Sequence, residues 1–270
     1  MNPLLNVAVK AARRAGALLV RYQDRLEKVK IEDKGRNDFV TEVDRMAEED
    51  IVDTIHYLYP NHTILAEESG SDKSPTGEEV EDEYQWIIDP LDGTANYIHG
   101  QPHFCVSIAL KWKGQLECGV VFDPLREELF TATRGHGAQL NSRRIRVSGQ
   151  GRLGRSSLAT EFPTYQPDRL NDSLKVFKAM VPRVANVRCS GSAALNLAYV
   201  AAGRLEGYWQ DCLDPWDMAA GALLVREAGG LVSDHNGSQD YLENGSIVSG
   251  NLQVFNELLT SIKKQTNKAA

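Results

Sequence analysis

Cysteine is scarce in this chain, and long apolar runs are missing. The 270 residues include only four cysteines, Cys105, Cys118, Cys189 and Cys212, and no two of them form a Cys-x-x-Cys pair. Widely spaced single cysteines argue against a disulfide framework and a zinc site, and they favour a reducing cytoplasm. Since a bilayer span needs about 20 apolar residues, we expect no membrane-spanning segment.

The charge balance is acidic, because 37 Asp and Glu residues outnumber 30 Lys and Arg residues and give a net charge of −7. This sign argues against a general nucleic-acid binder. An apolar content of 42% is enough for a substantial core. A glycine-rich stretch at 148–154 marks a candidate boundary. We expect an α+β half over residues 1–148 and an α/β half over residues 149–270, packed as one unit.

Hydrophobic periodicity predicts an opening helix followed by alternating elements. Residues 3–22 are basic and free of acids, as in a targeting peptide, but charges interrupt the apolar positions, which recur at helical spacing. Further patterns predict a helix capped by Thr41, a strand at 63–66, a solvated acidic loop at 71–83 and an antiparallel meander over 104–133. In the second half, strands and helices alternate, which is typical of layered α/β packing.

The sequence Trp86-Ile-Ile-Asp-Pro-Leu-Asp-Gly-Thr94 ends an apolar strand in two carboxylates. Pro90, between Asp89 and Asp92, removes a backbone donor and forces the strand to turn. Two acids at the end of a buried strand repel each other and lose hydration, and a hard cation such as Mg²⁺ compensates both effects. Free amides at the start of the following turn suit an anion such as phosphate. Metal and phosphate at one corner indicate phosphoryl chemistry.

This motif has two other interpretations. Asp-Gly alone is a common hairpin signal, but the acidic pair, the proline and the preceding buried strand favour a functional site. Haloacid-dehalogenase-type phosphatases use an Asp-x-Asp-x-Thr loop whose first Asp is a covalent nucleophile. Here Pro90 stands two positions before Asp92, so that nucleophile is missing.

Three further places each admit a structural and a functional interpretation. Glu67 and Glu68 follow a predicted strand, although paired glutamates are usually surface charge. Asp217 opens a helix, where it can cap amides or ligate a metal, and Asp214 can supply the cap instead. Ser192 precedes an Ala-rich helix, either as its N-cap or as a donor to a ligand. The sequence alone leaves these alternatives open.

Three stretches together carry a resemblance to a known family: Ala66–Ser69, Trp86–Tyr97 and Trp216–Gly230. They resemble the inositol monophosphatase family of lithium-sensitive, Mg²⁺-dependent phosphatases, which are related to fructose bisphosphatases. Residues 37–41 and 198–204 are closest to the bacterial extragenic-suppressor (SuhB-type) branch. The resemblance implies a layered αβαβα sandwich, a cytoplasmic homodimer, and hydrolysis of myo-inositol monophosphate or a similar small polyol or sugar phosphate by in-line attack of water.

The resemblance also implies a metal-ligand set for two or three Mg²⁺ ions. Glu67, Asp89 and the backbone carbonyl of Leu91 would hold one ion. Asp89, Asp92 and Asp217 would hold a second, and Glu67 would support a third. Most of these ligands belong to the first half of the chain, and Asp217 comes from the second.

Catalytic and substrate-binding roles follow from the same resemblance. Thr94, hydrogen-bonded to Asp44, would orient and deprotonate the attacking water, with Glu67 as a further catalytic residue. The implied substrate contacts are Gly93, Thr94, Ser192, Ala193, Gln210, Asp217 and Lys34. Gln210 departs from the family, which commonly has a Glu there that contacts inositol hydroxyls. Glutamine keeps one acceptor but loses the charge, so the preference for inositol monophosphate is the open part of the assignment.

Two alternative functions accompany this interpretation. The first is a nucleotide 3′-phosphatase, which would carry out the same hydrolysis on a nucleotide such as 3′-phosphoadenosine 5′-phosphate. SuhB-type relatives are also implicated in ribosomal RNA transcription antitermination through RNA polymerase and its Nus factors. No RNA-reading motif is present, so such a role would depend on protein contacts and not on catalysis.

Overall fold

The computed structural model describes residues 2–23, 25, 26, 31–35, 38–72, 83–164 and 166–266, and for residues 31–35, 38–40, 71 and 72 it describes the backbone alone. The helices are α1 (Pro3–Gln23), α2 (Glu42–His56), α3 (Thr94–Ile98), α4 (Pro167–Met180), α5 (Ala193–Ala201), α6 (Pro215–Glu227), α7 (Tyr241–Asn244) and α8 (Leu252–Thr266). The strands are β1 (Ile31–Gly35), β2 (Asp38–Thr41), β3 (Thr63–Ala66), β4 (Gly70–Asp72), β5 (Tyr84–Asp92), β6 (Cys105–Trp112), β7 (Gln115–Asp123), β8 (Glu128–Thr133), β9 (Gly137–Leu140), β10 (Arg143–Arg144), β11 (Ser157–Thr160), β12 (Asn186–Arg188), β13 (Gly207–Asp211), β14 (Leu231–Ser233) and β15 (Ser246–Gly250).

Two mixed sheets form the framework, beside a β1–β2 hairpin. The larger sheet has the strand order β10-β9-β8-β7-β6-β5-β3-β4, and the smaller one has the order β12-β11-β13-β15-β14. β3 and β5 are parallel, as are β11 with β12 and β11 with β13. Because parallel strands end at the same edge of a sheet, the residues that follow β3 and those that end β5 are neighbours.

The helices and sheets stack in five layers. Strand β5 shows why, since Trp86 and Ile88 face the core under α1 and α2, whereas Ile87 faces the core around α5 and α6. Residues of β13 and β15 close that second core from the other side. Helices α4 and α8 cover the outer face of the smaller sheet. The predicted αβαβα sandwich is confirmed.

The opening helix and the acidic loop illustrate where local patterns succeed and fail. α1 buries Ala8, Ala11, Ala15 and Leu19 at helical spacing, as predicted. The prediction of a solvated loop from residue 71 is wrong at its start, because β4 pairs there with β3 in an antiparallel ladder. Residues 73–82 lie outside the described part of the chain.

The proposed division at residue 148 stays a prediction. The larger sheet lies entirely before this position and the smaller sheet entirely after it. In the part of the chain that the structure covers, no helix combines the length and the apolar character needed to cross a bilayer.

His62 lies in a stack of aromatic rings beside the start of β5. Its ring is nearly parallel to those of Tyr59 and Tyr84, at centroid distances of 4.7 and 4.5 Å. Its Nδ1 accepts a hydrogen bond of 3.0 Å from Nε1 of Trp86. Burial, and to a smaller degree the charge of His56, lower the pKa of His62 to about 4. The imidazole is therefore neutral at pH 7.

Acidification is expected to destabilise the fold through His62. Because its pKa falls from 6.5 to about 4 on folding, its stabilising contribution is complete above about pH 6.5 and is lost as the pH falls towards 4. His62→Phe keeps an aromatic ring and removes the titration. Urea unfolding from pH 7 to pH 4 should show the wild type losing stability relative to His62→Phe. His136→Phe, at an exposed position, should track the wild type, and parallel curves for His62→Phe and wild type would contradict this account.

Candidate active site

The end of β5 brings two acids to the same face of the sheet. In the ladder with β6, Asp89 is opposite Ser107 and Asp92 is opposite Cys105, so β5 has one extra residue between the paired positions. Pro90 lacks the backbone N–H that a regular ladder needs. A bulge of one residue turns positions three apart to the same side. Asp89 and Asp92 are both buried there, at 1% and 8% exposure.

Glu67 reaches this corner from the neighbouring strand. It directly follows β3, and its amide donates to the carbonyl of Ile88 on β5 at 3.2 Å. Its side chain is half-buried and hydrogen-bonded with the carboxyl of Asp89. The strand-end positions of Glu67 and Asp89 therefore place their side chains together.

Asp217 joins the two acids from α6. Its Oδ2 accepts a hydrogen bond of 2.8 Å from the amide of Asp214, the N-cap residue. Ser107 donates to the carbonyl of Trp216 at 3.1 Å and ties the helix start to β6. Carboxylate oxygens of Asp89, Asp92 and Asp217 all lie within 4.8 Å of one another. Asp217 thus takes part in capping and in the acidic cluster, so the two interpretations from the sequence do not exclude each other.

The electrostatics of this cluster call for a cation. Burial raises the pKa of Asp89 well above its usual value, and the charges of Glu67, Asp92 and Asp217 raise it further. Burial raises the pKa of Asp217 in the same way, with Asp92 as the next cause. A metal ion removes this mutual repulsion, and a donor set made of carboxylate oxygens suits a hard cation. The residues present therefore fit a metal site.

Asp92 is also bound by the N-terminus of α5. Its Oδ2 accepts a short hydrogen bond from the hydroxyl of Ser192 and one of 2.8 Å from the amide of Ala194. Its Oδ1 accepts from the amide of Ala193 at 3.3 Å. Ser192 is at the same time the N-cap of α5, accepting from the amide of Leu195. In this conformation, the donors of Ser192 and Ala193 that were expected to contact substrate are directed to Asp92.

Thr94 and Asp44 lie within hydrogen-bond distance beside the cluster. Oγ1 of Thr94 is 3.3 Å from Oδ1 of Asp44 and 3.0 Å from the carbonyl oxygen of Leu91. Asp44 is completely buried, and its Oδ2 accepts from the amide and the hydroxyl of Thr41. Burial raises the pKa of Asp44, although these hydrogen bonds oppose the shift. The pair is arranged for proton exchange between a hydroxyl and a carboxyl group.

Gly93 makes the turn between β5 and α3 possible. Its φ of +99° is in the left-handed region. A Cβ atom at this position would lie 3.0 Å from the carbonyl oxygen of His103 and 3.2 Å from that of Gly191. α3 starts at Thr94, where the first amides of a helix have no partner within the helix. The Gly93–Thr94 backbone can therefore face an anion.

Two further predicted substrate contacts, Gln210 and Lys34, lie on β13 and β1. Gln210 lies on β13, half-buried, and its Oε1 accepts a short hydrogen bond from the hydroxyl of Tyr208. Tyr208 is completely buried, and this burial raises its pKa, as do the charges of Glu161, Asp92 and Asp217. The side chain of Lys34 lies outside the described residues, so its role stays a prediction.

Sequence reasoning missed a second polar network behind the site. Oε1 of Glu161 accepts from the amides of Ser190 and Gly191, at 2.6 and 2.8 Å. Asn96 donates to the carbonyls of His103 and Ser190, at 2.7 and 2.8 Å. These bonds fix the loop that leads to α5. Glu161 directly follows β11, as Glu67 follows β3, so its strand-end position was the available signal.

Comparisons with known proteins agree with this geometry. Residues 1–268 match the sequence model of the inositol monophosphatase family. Nus factor SuhB of Pseudomonas aeruginosa is 52% identical over 265 residues, which are 97% of this chain and 97% of that protein. The structure of extragenic suppressor protein suhB from Bartonella henselae has a TM-score of 0.92 at 42% identity, covering 97% of this chain and 99% of that one. Inositol monophosphatase from an Anabaena (Nostoc) species has a TM-score of 0.84 at 38% identity, covering 97% and 95%.

Neutralising Asp89 is expected to stabilise the metal-free protein. Asn removes one buried charge from the cluster and keeps an oxygen for the amide of Leu91, which donates to Oδ1 of Asp89 at 2.9 Å. In EDTA at pH 7.5, the free energy of unfolding of Asp89→Asn should rise by about 1 kcal/mol. Asp123→Asn is the control, because buried Asp123 pairs with Arg126, and its loss should destabilise. Equal destabilisation by both changes would refute the electrostatic account.

Proposed function

This chain belongs to the inositol monophosphatase family, and from that premise we propose that it is a Mg²⁺-dependent phosphomonoesterase acting on myo-inositol monophosphate or a similar small polyol or sugar phosphate. The observation that carries the proposal is the cluster of Asp89, Asp92 and Asp217 beside the Thr94–Asp44 pair. Hydrolysis of a phosphate ester by water requires a metal ion and a group that takes a proton from the water. The carboxylate cluster would bind the first, and the hydroxyl–carboxyl pair would provide the second.

The proposed metal ligands divide between two ions, with support for a third. Glu67, Asp89 and the carbonyl of Leu91 would hold one Mg²⁺, and Asp89, Asp92 and Asp217 would hold the other. Bound Mg²⁺ supplies Lewis acidity to the attacking water and to the leaving oxygen. The supporting observation is the oxygen-only donor set of the cluster.

The protein's own groups position the reactants. We assign to Thr94 the orientation of the attacking water. Its hydroxyl would take a proton from the water and pass its own to Asp44, whose Oδ1 is 3.3 Å away. The amides of Gly93 and Thr94 are proposed to hold the phosphate. Attack is direct and in line, since Pro90 occupies the position of the nucleophile in enzymes that form a covalent aspartyl intermediate.

Substrate choice is assigned to residues at the second sheet and at α5. Ser192, Ala193 and Gln210 are the proposed contacts to the alcohol part of the substrate, with Lys34 from the β1–β2 hairpin. Gln210 offers an amide where a carboxylate would accept hydrogen bonds from sugar hydroxyls more strongly. Other polyol phosphates therefore belong in the substrate panel beside inositol monophosphate, and 3′-phosphoadenosine 5′-phosphate tests the nucleotide alternative.

Phosphate release from inositol 1-phosphate tests the proposal directly. Turnover should require Mg²⁺ and be inhibited by lithium. Asp92→Asn should lower kcat by at least about 100-fold, since even groups that only support metal ligands cost about 10- to 100-fold. Asp53→Asn, an exposed acid on α2, is the matched control and should keep wild-type turnover. A folded wild-type protein without Mg²⁺-dependent turnover on any phosphate ester of the panel would overturn the assignment.

A second candidate function is a contact with the transcription machinery. It is favoured by one observation, the name Nus factor SuhB of the Pseudomonas aeruginosa relative at 52% identity. We propose that this chain contacts RNA polymerase and its Nus factors through protein surfaces, as a cytoplasmic homodimer. The two functions are compatible, because the acidic cluster occupies only one corner of the molecule.

Complementation separates the two functions. In cells that lack this protein, the Asp92→Asn variant should rescue the deletion phenotype as well as the wild type does if the cellular role needs no catalysis. Rescue by the wild type and by Asp53→Asn, but not by Asp92→Asn, would assign the phenotype to phosphatase activity and argue against the second function. Immunoblotting must show equal amounts of the three proteins.

A further inference from the structure

A buried glutamate on α2 holds the turn that carries Glu67. Oε2 of Glu48 accepts a hydrogen bond of 2.8 Å from the amide of Glu68, and its Oε1 accepts one of 2.8 Å from the amide of Ser69. Glu48 is 4% exposed. An acid is rarely buried to this degree without partners, and here the partners are two consecutive backbone N–H groups.

These two bonds act directly on the position of Glu67. On one side, the amide of Glu67 donates to the carbonyl of Ile88 on β5. On the other side, Glu48 binds the next two amides. The backbone of Glu67 is thus held between a strand and a helix, and its carboxyl group meets that of Asp89.

One face of α2 contacts both Thr94 and the turn that carries Glu67. Asp44 and Glu48 are four positions apart on α2 and both are buried, so they lie on one side of the helix. Asp44 contacts Thr94, and Glu48 binds the turn after β3. A single rigid element therefore sets the distance between the turn of Glu67 and the Thr94 hydroxyl.

We propose that Glu48 is a positioning residue for the metal site, acting through Glu67 and touching neither metal nor substrate. The inference rests on the proposed function, because it assumes that Glu67 ligates Mg²⁺. A carboxylate is required because both of its oxygens accept hydrogen bonds. Glutamine offers one acceptor, and its NH₂ group would face a backbone N–H. Loss of either bond frees the turn, and Glu67 no longer has a fixed place beside Asp89.

Magnesium titration by calorimetry on the full chain tests the proposal without using turnover. Glu48→Gln should weaken Mg²⁺ binding by about tenfold, the usual effect of losing a group that orients a metal ligand. Glu49→Gln changes the neighbouring exposed acid on α2 and should bind Mg²⁺ as the wild type does. Glu48→Asp keeps both acceptors on a shorter stem and should weaken binding as well. It replaces Glu48→Gln if that variant does not fold.

The outcomes separate this inference from the proposed function. A lower unfolding temperature of the Glu48 variant with unchanged Mg²⁺ affinity would show a purely structural role and overturn the inference. Wild-type protein that binds Mg²⁺ but releases no phosphate would overturn the proposed function and leave the inference standing if the Glu48 variant binds more weakly. Wild-type protein that binds no Mg²⁺ would overturn both.

Discussion

Three carboxylates, those of buried Asp89 and Asp92 and half-buried Asp217, meet within 4.8 Å at the end of β5, and their mutual repulsion must be offset for the chain to fold around them. Each one receives a backbone N–H: Asp89 from Leu91, Asp92 from Ala194, and Asp217 from Asp214. These bonds lower the energy of the charged forms but leave the charges facing one another. A bound cation would offset the repulsion that remains, so the folding of this corner and its affinity for metal are linked.

The layered fold brings the three acids together at the end of β5. The parallel pairing of β3 and β5 brings their ends together, and the bulge at Pro90 turns Asp89 and Asp92 to the same face. That face is covered by α5 and α6, which lie between the two sheets and present their N-termini to the acids. Because the positive end of a helix dipole favours negative charge, the orientation of these two helices is part of the electrostatic balance.

Much of this could be predicted from the sequence, because it follows from local patterns. Helical spacing gave α1, and an apolar strand ending in Asp-Pro-Leu-Asp located the corner. Contacts between distant segments could not be predicted in this way. β4 forms because β3 offers it an edge, and Ser192 reaches Asp92 across 100 positions. Glu48 stands in an acidic run, Glu48-Glu49-Asp50, that is typical of a solvated helix face. Glu48 is buried because the turn after β3 packs against it, and the local sequence does not indicate this contact.

The acids in and around this cluster differ in the number of backbone amides that they accept. Glu48 uses both oxygens on backbone amides, and Glu161 directs one oxygen to two amides, so both acids serve their loops. Asp89 and Asp217 each accept one amide and keep oxygens that face other carboxylates. Asp92 combines the two roles, since it accepts two amides and a hydroxyl from the start of α5 and still belongs to the cluster. A cation at Asp92 would therefore be coupled to the position of α5, which links the metal site to the half of the molecule that holds the proposed substrate contacts.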